Sequence, residues 1–259
     1  MSTIEPTGEI YGTQPAGVGF RRLAVLAIAA GVVAGVVSWL IGERIVEAYR
    51  GELFPKLRIS PSLEEIARLG QARLLSALAT YTVMGAVLGL ALGAAGGLAR
   101  GSASAAARAA LVGGVLGGIA GGVPAAIATP LFYGWRDSQS TDLLAPLLMH
   151  AAIWSAVGGA AGAALGFGLG DRRRRVETLV GGLAGALAAA VVYEIVGALA
   201  FPVDHTDLPV SRSSVTRAAA HVLVAAWTAA GAAWGASIAE TQKGPAATTD
   251  PSPGEVEDQ

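Results

Sequence analysis

The sequence predicts an all-α integral membrane protein with six transmembrane helices, built as three internally repeated, glycine-striped hairpins. Three observations predict it. The chain is 53% hydrophobic but only 14% charged, against about 25% charged in an ordinary soluble domain. Six apolar segments are each long enough to cross about 30 Å of hydrocarbon. The pattern A-x-[YW]-[ST]-x-x-G-x-x-x-G also occurs three times at one fixed spacing, with its aromatic residue at Tyr81, Trp154 and Trp227, 73 residues apart, and such a repeat defines an architecture before any single element does.

Taken in order, residues 1–20 are polar and rich in Gly, Pro and Thr, and are expected to form a flexible tail. The membrane domain is expected over 21–239. Its first span, Leu23 to Ile41, carries no charge and ends in Gly42-Glu43-Arg44 rather than at a small-residue cleavage site, so it reads as an uncleaved helix. The charged stretch 43–73 is expected to be an external amphipathic segment. Within it, Ser62-x-x-Glu65 is a capping-box signature opening a short helix at the membrane interface, with Leu63, Ile66 and Ala67 on one side. Five further spans follow at about 74–98, 109–132, 147–169, 178–201 and 218–238. Residues 240–259 hold Asp250, Glu255, Glu257 and Asp258 among prolines and threonines, too little apolar surface to fold alone, and are expected to be a disordered acidic tail.

Lysine and arginine divide evenly between the two sides, so orientation rests on short loops next to spans, where Arg172, Arg173, Arg174 and Arg175 dominate. They place that turn and both termini in the cytoplasm of a bacterial cell, with the protein in the inner membrane. The same four arginines are candidates for holding anionic lipid.

Lipid tails are as apolar as leucine, so helices in a bilayer associate through close packing, and small residues every fourth position let backbones approach. Gly85 and Gly89, Gly158 and Gly162, and Gly231 and Gly235 are the expected packing stripes of the even-numbered spans. Tyr81, Trp154 and Trp227 lie about two turns inside the external ends and are expected to be packing knobs over those glycines. Trp39, Tyr133 and Trp135 suit the aromatic belt. Three hairpins of one orientation differ from inverted-repeat transporters, and a pseudo-threefold ring is the natural packing. The mitochondrial carrier family, also three hairpins, is excluded, because the nearest match to its P-x-[DE]-x-x-[KR] signature, Pro124-Ala-Ala-Ile127, lacks both charges.

Glu194 is the only acidic residue inside an expected span, and a carboxylate in hydrocarbon is a functional candidate by default. It continues the Gly182, Ala186, Ala190 line by one step of four. His150 stands one such step before Trp154, and His221 lies at similar depth in the sixth span. Imidazole and carboxylate in one layer could bind a divalent metal or pass protons, although no short-range ligand spacing is present; the other reading is packing through hydrogen bonds. Thr82, Ser155 and Thr228 repeat beside the aromatic residue and are candidates for lining a pathway, or for bonding the carbonyl of a preceding turn.

With no cysteine, disulfides and thiol nucleophiles are excluded, and a net charge of −1 gives no electrostatic case for nucleic acid. No phosphate loop, nucleophile elbow or H-E-x-x-H occurs, so no enzymatic activity and no cofactor are expected. The expected partners are the lipid bilayer and either another membrane protein or a second copy of the chain. The expected function is a non-enzymatic structural or assembly component. The alternative is a small permease or channel subunit for a metal ion, proton or small solute, with Glu194, His150 and His221 on its path.

Overall fold

A computed structural model describes residues 19–53, 62–135 and 143–241, all of whose regular elements are helices. They are α1 (Phe20–Ala48), a single turn α2 (Arg50–Leu53), α3 (Leu63–Ala99), α4 (Ala103–Trp135), α5 (Leu144–Leu169), α6 (Arg172–Ala200) and α7 (Ser214–Thr241). Six of them, all but α2, are long and apolar enough to cross a membrane. The expected tails lie outside the described residues, except where they join α1 and α7.

Local chemistry sets the helix ends. Ser62 Oγ accepts from the Glu65 N–H at 3.2 Å while the Ser62 N–H donates to Glu65 Oε2 at 2.8 Å, so the capping box forms as its sequence predicts. The expected amphipathic helix feeds into the second span without a break between them. From this cap α3 runs unbroken for 37 residues, roughly 55 Å at the usual rise per residue. No proline interrupts it, so the amphipathic segment continues the axis of the span, with Leu63 and Ile66 exposed at its tip. Helix α1 likewise passes through Gly42-Glu43-Arg44 to Ala48, which carries Glu43 into the bundle instead of into a loop. At the opposite end, α5 stops at Gly170, whose φ of +82° suits glycine. Asp171 then caps α6 by accepting from the Arg173 N–H at 2.9 Å.

The helices alternate in direction. The α3–α4 and α5–α6 turns form one end of the bundle, the arginine-turn face; the long connections, including Phe201–Ser213, form the other. Helix α5 is central, with 67% of its apolar window buried against 28% for α1 and α4. It touches α3, α4, α6 and α7, while α1 fills the groove between α3 and α7. Packing around the centre is uneven: α3 and α5 meet broadly, and α3 and α7 barely at all.

Glycine permits the closest approaches. A Cβ added at Gly85 or Gly89 would overlap the backbone of Gly117 or Gly113 on α4, and one at Gly162 would overlap Thr178 on α6. At Gly158 it would come within 2.5 Å of both Ala186 Cβ and the Gly182 carbonyl. Gly231 and Gly235 also meet α6, at Gly181 and Glu177. Two copies of the pattern thus face the helix that follows them, whereas the third faces the one before. Tyr81 and Trp154 are accordingly buried, but Trp227 is 42% exposed and is no packing knob.

Candidate functional site

Antiparallel packing of α5 on α6 carries its register outward from the glycine contact. His150 lies eight residues before Gly158 and Glu194 eight residues after Ala186, so the two arrive opposite each other. His150 Nδ1 stands 2.5 Å from Glu194 Oε1, and both side chains are almost fully buried. The imidazole is enclosed by aromatic rings, with the Trp154 centroid at 4.7 Å and the Tyr193 centroid at 5.6 Å. The other carboxyl oxygen, Glu194 Oε2, has no hydrogen-bond partner among the described residues. Burying such a group costs a few kcal/mol.

His221 belongs to a second pair, joining α7 to α1. Its Nδ1 lies 2.8 Å from Ser38 Oγ, and the Ser38 hydroxyl also reaches the Gly35 carbonyl at 3.1 Å. A hydroxyl has one proton to give; donated to the carbonyl, it leaves the Ser38 oxygen to accept from the His221 Nδ1–H.

The largest charged interaction was not visible in sequence. Arg217 of α7 donates Nε and an Nη to the two oxygens of Glu43 on α1, both at 2.7 Å. Such bidentate geometry makes a strong, orienting pair. Trp39 Nε1 donates to Glu43 Oε1 at 3.1 Å. The remaining Arg217 Nη donates to the Ser211 and Arg212 carbonyls at 2.8 and 2.7 Å. It thereby ties the Phe201–Ser213 connection to the helix ends. Tyr81 makes a second tie, its hydroxyl donating to the Pro209 carbonyl.

Beneath this loop lies a cavity of about 20 Å³, enough for one water. Thr80, Tyr81, His150, Trp154, Arg217 and His221 line it below, and Pro209, Val210 and Ser211 roof it. Both predicted histidines therefore face one space, and Glu194 stands behind His150. No three His, Asp or Glu side chains gather as a metal site among the described residues.

The hydroxyls of the repeated pattern do not converge. Thr82 faces α4 at Gly118 and Gly122, Ser155 bonds the Ala152 carbonyl of its own helix at 3.4 Å, and Thr228 is buried against α6 at Gly185. In the arginine turn, Arg173 pairs with Glu177 at 3.0 Å and the Arg175 guanidinium stacks 4.1 Å from the Phe167 ring.

The signal for the His150–Glu194 pair was present in sequence as the two stripes that each residue extends. Nothing comparable marked Arg217 with Glu43, which lie 174 residues apart on helices joined by neither a shared pattern nor a short turn. Comparison with protein-family models, curated proteins and solved structures finds no match for this chain, and its chemistry is read from its own residues.

Proposed function

We propose that this multi-pass membrane protein is a non-enzymatic structural or assembly component, three glycine-striped hairpins whose polar residues lock the bundle. The observation that carries the reading is that each buried ionic or histidine pair joins two different helices: His150 to Glu194, His221 to Ser38 and Arg217 to Glu43. Removing water from a charged pair is costly unless geometry and further hydrogen bonds compensate, and here both partners sit where packing demands a fixed register. Leu88, Leu92, Ile153, Val157 and Leu165 fill the middle of the bundle with almost no exposed surface, which favours a scaffold over a pathway. In this reading the protein lies in the bacterial inner membrane with both termini cytoplasmic, and Arg172 to Arg175 meet anionic headgroups.

A second reading, a small permease or channel subunit for a proton, metal ion or small solute, is favoured by one observation, that His150 and His221 line a common cavity. Reconstitution separates the two. Purified protein in liposomes is expected to move neither protons nor divalent metal ions above the rate of protein-free vesicles. It is also expected to lose its folded state in detergent when Gly158→Leu forces α5 away from α6. Ion flux that disappears in Glu194→Gln would establish the permease instead, and unchanged thermal stability of Gly158→Leu would remove the packing role.

A further inference from the structure

We propose that the cavity beneath the Phe201–Ser213 loop is a proton-binding site open to the long-loop face alone, where one water relays protons between the aqueous phase and the His150–Glu194 pair. The proposal adds a one-sided ligand site to the scaffold reading and needs no path through the bundle.

Four observations carry it. The cavity has room for a single water, and Thr80 Oγ1 on its wall is buried with no hydrogen-bond partner among the described residues, as a water would require. His150 forms another part of that wall and hands directly on to Glu194, whose Oε2 is also unpartnered. A second cavity of about 50 Å³, lined by Arg73, Ser76 and Tyr133, shares Pro209, Val210 and Ser211 with the first. Ser76 precedes Thr80 by one turn of α3 toward the long-loop face, so the two cavities lie outside and inside the same three-residue strap. On the other side, the packed layer from Leu88 and Ile153 down to Leu165 shuts the route toward the arginine turns.

The charge balance is simple. A neutral imidazole beside an ionised carboxylate carries one net negative charge. A proton relayed from the aqueous phase through the water to the other ring nitrogen brings the pair to neutrality, and the Nδ1 proton's shift to Oε1 leaves a neutral imidazole and a carboxylic acid, the water being restored. No bond other than that to the proton is made or broken. Around the pair, α3 presents Tyr81 and α6 Tyr193, both hydroxyls, while Tyr133 of α4 lines the outer cavity. Helix α7 presents His221 and Arg217, and the Arg217 charge is matched by Glu43 of α1. The loop contributes Asp207 at greater remove. Among the described residues of this layer, the Glu194 carboxylate has only the His150 imidazole beside it, whereas the Arg217 charge is matched and His221 is bonded to the neutral Ser38 hydroxyl.

The test is infrared difference spectroscopy of the full chain in nanodiscs, titrated with acid and base. A carboxyl C=O stretch is expected that titrates, shifts in heavy water and vanishes in Glu194→Gln. In His150→Gln the band should shift in frequency, because the carboxyl group loses its imidazole partner. A band that neither titrates nor exchanges, or that survives Glu194→Gln, overturns the proposal. Should the pair's variants fail to fold, Thr80→Val decides, because it removes the hydroxyl that would hold the water. In Thr80→Val the exchange of the carboxyl band in heavy water should slow several-fold. Exchange as fast as in the unaltered chain overturns the proposal as well.

Discussion

At the scale of single residues, the bundle's polar groups behave as couplers between helices. If His150 and Glu194 act as a unit, removing either leaves the other buried without its partner, a loss of about 3 kcal/mol or more. The double substitution His150→Ala with Glu194→Ala should then cost about 1–3 kcal/mol less than the sum of the single ones. Reversible unfolding of the four proteins in mixed micelles measures this coupling, and strict additivity would show two independent residues. Sequence spacing could locate both members because each prolongs a line of small residues on its own helix. It could not locate Arg217 and Glu43. The apolar run of the first span ends at Ile41, and hydropathy therefore assigns Glu43 to a loop. Only a partner supplied by α7, together with Trp39 one turn earlier on α1, stabilises that carboxylate within the helix.

At the scale of elements, the repeated pattern fixed which face of each even span packs but not which helix it packs on. The first two copies each turn toward the following helix across a tight turn; the glycines of the third seat on the preceding helix, α6. That leaves one buried and one half-exposed tryptophan at equivalent positions. Trp154→Ala opens space beside His150, Tyr193 and the packed centre, and should cost about 3–5 kcal/mol. Trp227→Ala, on a surface already 42% exposed, should cost about 1 kcal/mol or less. Equal melting shifts for the two variants would mean that the copies are structurally equivalent after all. In the sequence reading the capped segment feeds into the second span, and α3 runs through both as one helix. Charge density suggested a boundary near Arg73, whereas a helix begun by a strong cap and met by no proline has no reason to stop there.

At the scale of the whole molecule, the number of spans followed directly from composition, because six long apolar runs charged only at Glu194, in a chain this poor in charge, have no soluble alternative. The ring was legible only in outline: each odd-numbered span does sit between two even ones, yet the centre closes unevenly, since α5 packs broadly on α3 but narrowly on α7, which leans outward on α6 and α1. Orientation is the remaining property of the whole, and here the two ends differ in kind. One is made of short turns dense in arginine, the other carries the Phe201–Ser213 connection folded over a polar layer. Translocation is resisted by positive charge in short loops close to spans, while long loops cross largely regardless of charge. The arginine-turn face should therefore be cytoplasmic, and the cavity under Phe201–Ser213 should open away from the cytoplasm. The absence of cysteine makes this directly measurable with two single-cysteine chains. Val203→Cys sits on the loop at 81% exposure and Ser104→Cys on the exposed first turn of α4. In intact cells a membrane-impermeant thiol reagent should label the first and spare the second until the membrane is permeabilised. The reverse pattern would place the polar layer on the cytoplasmic side and turn the source of its protons from the cell exterior to the cell interior.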